Sequence, residues 1–181
     1  NKVNLIYYLF LKIYQAGIYL TAFFNEKAKL WLDGRKTIFE RLEKDVKGNS
    51  KIIWMHCASL SEFEQGRPVL ERLKTEYPEY KLLLTFFSPS GYEIRKNYQG
   101  VDWVFYLPLD TANNAFRFIK TVNPQLAVFV KYEYWHHYLK ALYENNIPSI
   151  LISALFTPSK VFFKWYGGFH RNMLKFFSHI F

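Results

Sequence analysis

The sequence predicts an α/β fold, in which helices cover both faces of a parallel β-sheet. Five short apolar runs alternate with longer stretches of helical periodicity over most of the 181 residues, as right-handed βαβ units require. The runs lack a regular polar alternation, which indicates strands buried on both faces. Pro78, Pro108, Pro124 and Pro148 fall in connections or at strand edges, where a missing N–H costs least.

The elements follow in order along the chain. An apolar helix is predicted over 3–24 and a second helix over 27–46, followed by a linker at 48–50. Two units are therefore expected: an N-terminal helix with a basic helical segment over 1–47, and a Rossmann-like domain over 48–181. The predicted strands are 51–57, 82–87, 103–107, 126–130 and 149–153, and the later helices are 62–76, 90–98, 111–121, 134–145 and 159–174.

The N-terminal helix has the length and composition of a membrane segment. Lys12 is its only charged residue between positions 3 and 24, and 22 helical residues reach about 33 Å. Its polar side chains form one narrow stripe, which favours a helix that lies on a surface. Two alternatives stay open: a membrane anchor that lies on or spans the bilayer, and a helix packed on the domain or on a partner chain. The stripe consists of Asn4, Tyr8, Lys12, Gln15 and Tyr19.

Composition restricts the class of protein. The chain is 50% hydrophobic and 22% charged, which is typical of a globular domain. A formal charge of +9 favours an anionic partner, but no zinc-finger spacing or Lys/Arg block indicates nucleic acid. Cys57 is the only cysteine, so an internal disulfide is excluded and a reducing compartment is expected. The chain begins at Asn1 and stops inside an apolar run, which suggests a piece of a longer protein.

The sequence has neither of the common glycine-rich phosphate loops. Neither Gly-x-Gly-x-x-Gly nor Gly-x-x-x-x-Gly-Lys-Ser/Thr occurs. A Rossmann-like sheet without such a loop fits one half of a two-domain enzyme whose other half binds the nucleotide.

A carboxylate, Glu62, follows the first predicted strand. It stands in Ser59-Leu60-Ser61-Glu62, where a strand turns into a helix. The carboxyl ends of parallel strands line the crevice in which open α/β sheets bind ligands, so Glu62 is a candidate general base. The same spacing matches a capping box, in which Ser59 and Glu62 bond backbone N–H groups. Both roles remain possible from the residues alone.

Two further loops carry polar groups toward the same predicted edge. Ser88, Ser90 and Gly91 stand at a helix start, where hydroxyl and backbone N–H groups can hold phosphate or sugar oxygens or can simply cap the helix. Lys131 and Glu133 are two residues apart and share a face in an extended segment. They can orient a substrate hydroxyl, or form an ion pair that positions the next helix.

The histidines and the cysteine do not suggest a metal site or a nucleophile. His56 and Cys57 are adjacent in a strand and point to opposite faces, so both are predicted to be core residues. His136 and His137 lack the i, i+4 spacing of a zinc-binding helix. No metal and no cofactor are predicted.

With these loops in order on a βαβ chain, the sequence resembles the N-terminal domain of the 3-deoxy-D-manno-octulosonic acid (Kdo) transferases. Several motifs match in register, which is more specific than any one motif. The apolar N-terminal helix with its basic segment also resembles that family's membrane attachment. The motifs occupy residues 54–62, 85–93, 106–110, 123–124, 131–135 and 147–154.

The resemblance implies the N-terminal half of an inverting GT-B glycosyltransferase. Its reaction would transfer Kdo from CMP-Kdo to lipid A precursor (lipid IVA), with Glu62 as the general base. Residues 48–181 would be the acceptor-binding domain, and a C-terminal domain outside this chain would bind CMP-Kdo. The resemblance also implies an anionic membrane surface as a partner, at the cytoplasmic face of the inner membrane of a Gram-negative bacterium. Another lipid-directed GT-B enzyme and a non-catalytic membrane-binding module are the alternatives.

Five positions depart from the family pattern. Ser61 stands where glycine usually precedes the catalytic Glu, Lys131 replaces an acidic residue, and His136 replaces a proline. Residues 153–155 read Ser-Ala-Leu in place of Asn-Ala-Arg. The glycine matters most, because it tolerates backbone angles that serine resists.

Overall fold

A parallel six-stranded sheet forms the centre of the protein. The computed structural model describes residues 2–131 and 134–181, with the side chains of the first helix described from Leu5 onward. The strands lie in the order β3-β2-β1-β4-β5-β6, with each pair parallel. They are β1 (Ile52–Cys57), β2 (Lys81–Phe86), β3 (Trp103–Tyr106), β4 (Leu126–Val130), β5 (Ser149–Ile152) and β6 (His179–Ile180).

Helices precede the sheet and cover both of its faces, so the predicted α/β class and the parallel sheet are confirmed. The five predicted strands all form. The sixth, β6, was not predicted because it has only two residues and they show no periodicity. The helices are α1 (Lys2–Thr21), α2 (Glu26–Asp33), α3 (Ile38–Asp45), α4 (Leu60–Glu76), α5 (Pro89–Arg95), α6 (Ala112–Val122), α7 (His136–Glu144) and α8 (Gly168–Leu174).

Two of the predicted helices are wrong in extent. The helix predicted over 27–46 divides into α2 and α3 at Gly34, where a Cβ atom would lie 2.2 Å from the Tyr106 ring. The chain passes that ring closely and then turns. The helix predicted over 159–174 is helical only from Gly168, apart from a short 3₁₀ turn at Val161–Phe163. Lys164 is extended, and Gly167 and Gly168 follow it, residues that weaken a helix.

Each face of the sheet has its own apolar core. On one face, Trp54 packs against Phe118 and Phe129, with ring centroids 4.8 and 5.2 Å apart. On the other face, Met55 and Phe63 belong to the second cluster. This division follows from the alternation of strand side chains.

The first helix, α1, packs against the carboxyl edge of the sheet through one narrow row of residues. Leu11 is buried against Trp31 and Leu109, while Tyr7, Tyr14 and Ile18 are partly buried beside it. At 100° per residue these four lie on one face of the helix. No helix among the described residues is long and apolar enough to cross a membrane.

The opposite face of α1 is apolar and exposed. Leu9, Ile13 and Leu20 are 57%, 64% and 69% exposed, and Phe24 after the helix is 95% exposed. The predicted polar stripe, including Lys12 and Tyr19, runs between this face and the buried row. The helix is therefore packed on the domain on one side and presents apolar surface on the other.

Candidate active site

The strand order reverses between β1 and β4, and the candidate residues cluster there. Strands β2 and β3 lie on one side of β1, and β5 and β6 lie beyond β4. In open α/β sheets the crevice at such a reversal is where ligands bind. The Ser59–Glu62 loop follows β1 and Lys131 follows β4, so both flank this point.

Glu62 lies in the first turn of α4 and is partly buried. The Ser59 hydroxyl donates a hydrogen bond to Glu62 Oε2. Among the described residues, no Lys or Arg forms an ion pair with this carboxylate. One oxygen is therefore oriented by a neutral donor, while the other remains available to a ligand.

The capping box predicted for these residues does not form. Ser59 is the N-cap of α4, but its side chain makes no cap hydrogen bond to the backbone. The hydroxyl bonds to the Glu62 carboxylate instead. The hydroxyl acts here as a donor to a charged acceptor, whereas a cap would require its oxygen to accept a backbone N–H.

The serine at position 61 fits its place without strain. Ser61 lies within α4 and is exposed, and it is not among the described residues with positive φ. Every L-residue can adopt helical backbone angles, and only proline is disfavoured in the interior of a helix. This position therefore needs no glycine, and the departure from the family pattern leaves the turn intact.

The second predicted loop is held against the first. The Ser88 N–H donates to the Ala58 carbonyl at 2.8 Å. Ser88 is the N-cap of α5, and its Oγ lies 3.3 Å from the Ser90 N–H and 3.0 Å from Ser90 Oγ. Gly91 donates its own N–H to the Ser88 carbonyl, and a Cβ here would lie 2.2 Å from the Phe86 ring. The two hydroxyls are thus the polar groups that this loop offers.

The third predicted loop is described only in part. Lys131 donates its N–H to the Ile152 carbonyl at 2.8 Å. Its φ of 69° is in the left-handed region, so the chain turns sharply where β4 ends. Glu133 lies outside the described residues, and so does the predicted pair of Lys131 with Glu133. His136, which stands where the family has proline, is the first residue of α7, a position that favours proline.

A series of hydrogen-bonded side chains in and next to strands β1 and β2 links the start of α7 to the sheet beneath these loops. The Trp135 indole donates to His56 Nε2 at 3.0 Å, so this nitrogen is the acceptor and the proton lies on Nδ1. His56 Nδ1 then donates to Thr85 Oγ1 at 2.9 Å, where Trp54 also donates at 2.8 Å. Trp135 in turn packs on Phe87, with ring centroids 4.6 Å apart. The prediction that His56 and Cys57 are buried is confirmed.

A second carboxylate at the same edge was not recognised from the sequence as a structural group. Asp110 is fully buried and accepts hydrogen bonds from Tyr7 Oη at 2.6 Å and from the backbone N–H groups of His137 and Tyr138 at 3.1 and 3.0 Å. It therefore caps α7 and ties α1 to it. Burial raises the pKa of Asp110, and the three hydrogen bonds oppose that rise.

Arg35 joins the turn after α2 to the loops after β2 and β3. Its guanidinium donates to the carbonyls of Leu107, Trp31 and Phe87 at 2.8, 3.0 and 2.7 Å. The group also lies 3.9 Å from the Trp31 ring centroid and 4.6 Å from that of Tyr106. Burial lowers the pKa of Arg35 to about 9, which leaves it charged at neutral pH.

The described residues contain no cluster of three His, Cys, Asp or Glu side chains able to hold a metal ion. His136 and His137 are neighbours in α7, and burial lowers the pKa of each. Their rings pack against each other and against Tyr7. They act as packing groups of the α1–α7 contact.

The fold and the site together define a Rossmann-like α/β domain, consistent with the GT-B class, with one partly buried carboxylate at the strand reversal. Residues 35–181 match the family model described as 3-deoxy-D-manno-octulosonic-acid transferase (Kdo transferase), and the chain belongs to this family.

Relatives from three bacteria bear the same name, 3-deoxy-D-manno-octulosonic acid transferase. The Haemophilus influenzae protein is 31% identical over 56% of this chain and 24% of its own length. The Chlamydia trachomatis protein is 30% identical over 76% of this chain and 32% of its own length. The Aquifex aeolicus protein is 31% identical over 62% of this chain and 30% of its own length. The chain thus spans about a quarter to a third of these relatives.

Proposed function

We propose that this chain is the acceptor-binding half of an inverting glycosyltransferase that transfers Kdo from CMP-Kdo to lipid A precursor (lipid IVA). Family membership supports the Kdo transferase activity. CMP-Kdo is bound mainly by a C-terminal domain outside this chain. The proposed site places the acceptor hydroxyl beside Glu62.

The proposed reaction has one displacement step. Glu62 takes the proton from the acceptor hydroxyl, whose oxygen attacks the anomeric carbon of Kdo as the bond to CMP breaks. CMP leaves with the bonding electron pair, and the new glycosidic bond forms on the opposite face. General-base catalysis of this kind contributes about 10² to 10⁴ in rate.

One observation carries the proposal: Glu62 stands at the strand reversal with only a serine hydroxyl as its hydrogen-bond partner among the described side chains. A carboxylate engaged in an ion pair would have to break that pair before it accepts a proton. Within the part of the chain that the structure describes, Glu62 has no ion-pair partner. The hydrogen bond from Ser59 fixes one oxygen and so orients the other.

The remaining predicted residues have supporting roles in the proposal. Ser61, Ser88 and Ser90 bind acceptor oxygens, because hydroxyls both donate and accept. Gly91 allows α5 to approach Phe86 and sets the position of those serines. Lys131 and Glu133 contact the substrate on the β4 side of the crevice.

The proposed acceptor is a lipid, and the outer face of α1 suits it. Exposed apolar side chains such as Leu9 and Ile13 lie on the same edge of the sheet as the site. Lys27, Lys29 and Lys36 follow α1 and are exposed, where each cation near an anionic bilayer adds about 1 kcal/mol. We propose that α1 rests on the cytoplasmic face of the inner membrane of a Gram-negative bacterium, and that residues 1–47 form this attachment.

The experiment that tests the proposal is Glu62→Gln in the full-length protein. Glutamine keeps the size of the side chain but cannot take a proton at neutral pH. Turnover from CMP-Kdo to lipid IVA should fall by about 10² to 10⁴, with the KM for acceptor changed little.

The matched control is Glu64→Gln, two residues after Glu62 in α4. Glu64 is exposed and forms surface ion pairs with Arg67 and Arg95, which contribute little to stability. Its turnover should stay within about twofold of wild type. Equal turnover in the wild-type and Glu62→Gln proteins would refute Glu62 as the base.

A further inference from the structure

A groove lies between α1, α2 and the β2–α5 loop, next to the candidate site. Its volume is about 290 Å³. Its apolar wall includes Tyr14, Ile18, Ala28 and Phe87. This groove could not be predicted from local sequence patterns, because its walls come from three separate segments.

Polar groups are placed at particular points of the groove and not throughout it. Lys27 and Ser88 line it, and Ser88 also contacts Ser90 at 3.0 Å. Lys27 is exposed, and its ammonium can pair with an anion. An amphiphile with an apolar chain and an anionic or hydroxylated head matches this distribution.

The Trp31 side chain supplies an independent observation. Trp31 lines the groove and is 5% exposed, and its indole N–H has no hydrogen-bond partner among the described residues. A buried donor left unpaired costs about 1 to 3 kcal/mol. An ester or amide carbonyl near the head of an acyl chain is an acceptor that can satisfy it.

We propose that this groove binds one acyl chain of the glycosyl acceptor, with the acceptor's anionic head held near Lys27 and Ser88. This inference rests on the proposed function and names a part of the substrate that the site at Glu62 does not contact. The groove lies between Tyr14 and Ile18, on the packed side of α1, and the Ser88 loop. An acyl chain seated there lies between α1 and the Ser88 loop.

The test measures kcat and KM in the full-length protein, with acceptor dispersed in detergent and with a deacylated acceptor for comparison. Thr21→Phe fills the groove from the exposed end of α1. The KM for the acylated acceptor should rise about tenfold, which corresponds to losing roughly two buried methylene groups. The KM for the deacylated acceptor and both kcat values should not change.

Thr75→Phe is the matched control. Thr21 and Thr75 are both exposed residues near a helix end, and each hydroxyl bonds the carbonyl four residues earlier. Thr75 lies on α4, away from the groove, so its variant should behave as wild type. If Thr21→Phe also behaves as wild type toward acylated acceptor, the proposal is wrong.

The head group is tested by Lys27→Gln, with Lys44→Gln on α3 as control. The first should raise the KM for an acceptor that carries phosphate about threefold and the second should not. An unchanged KM in Lys27→Gln would contradict the proposed head-group contact.

Vesicle binding separates the acceptor from an ordinary membrane lipid. If Thr21→Phe reduces co-sedimentation with phosphatidylglycerol vesicles and leaves the KM unchanged, the groove holds a membrane phospholipid and the proposal is overturned. If the wild-type protein transfers no Kdo to either acceptor, the proposed function fails instead.

Discussion

Two carboxylates at the same edge of the sheet have opposite surroundings. Asp110 is fully buried and accepts three hydrogen bonds, two from the first backbone N–H groups of α7 and one from Tyr7. Glu62 is partly buried and receives one hydrogen bond, from Ser59. Both are acidic residues near the start of a helix, so the sequence alone gives them similar descriptions.

The difference shows how to separate a structural carboxylate from a catalytic candidate. Asp110 has its oxygens occupied by donors that the fold supplies, and it joins α1, the β3–α6 loop and α7. Among residues 2–131 and 134–181, the Glu62 side chain has no hydrogen bond or ion pair outside its own turn. A carboxylate whose acceptor capacity is unused can accept a proton from a substrate, whereas a saturated one stabilises the fold.

The largest effect on stability is expected for Asp110→Asn. Asparagine offers one acceptor oxygen, and its NH₂ group would face one of the two N–H donors of α7. The free energy of unfolding should fall by about 3 kcal/mol, measured by urea denaturation. Asp33→Asn, which removes only an exposed pair with Lys36, should cost no more than about 0.5 kcal/mol. A loss below about 1 kcal/mol in Asp110→Asn would contradict a structural role.

Tyr7→Phe should have an intermediate effect. It removes the 2.6 Å bond to Asp110 and leaves the two backbone bonds in place. The expected loss is about 1.5 kcal/mol in the free energy of unfolding, since the bond has a charged acceptor. Tyr8→Phe alters the neighbouring, exposed tyrosine and serves as the control. Equal stability of the two variants would show that Tyr7 does not anchor α1.

The smallest effect on stability is expected for Ser59→Ala. Replacing a capping serine commonly costs about 1 kcal/mol, but the Ser59 hydroxyl bonds to Glu62 and does not cap the backbone. The free energy of unfolding should change by less than about 0.5 kcal/mol. Turnover of the full-length enzyme should fall about tenfold, because Glu62 loses its orienting donor. A stability loss of 1 kcal/mol or more would indicate that Ser59 caps α4 in solution.

Much of the fold could be predicted from the sequence. The five strands with apolar runs were found, since a strand buried on both faces needs such a run. The break of the second helix at Gly34 was missed, because it depends on the Tyr106 ring more than seventy residues away. The two-residue β6 was missed because its pairing with β5 has no local sequence signal.

The site was predicted in part. The sequence indicated Glu62 and the Ser88 loop, and the structure brings the two loops together through the bond from Ser88 to Ala58. The structural role of Asp110, which caps α7 and joins it to α1, was not predicted. One signal existed, since Asp110 stands before a predicted helix start, but its partners at positions 7, 137 and 138 are distant in sequence. The roles assigned to Glu62 and the other site residues remain predictions.

The sequence by itself determined the succession of the main strands and helices along the chain, the apolar character of α1 and the family. These features depend on local periodicity and on motifs in register. The tertiary structure decided which carboxylate is saturated, where α1 packs and where the groove opens. The physical reason is that hydrogen-bond saturation and burial are set by neighbours that the chain brings together from far apart. A carboxylate in the sequence is a charge, and only its neighbours make it a cap or a candidate base.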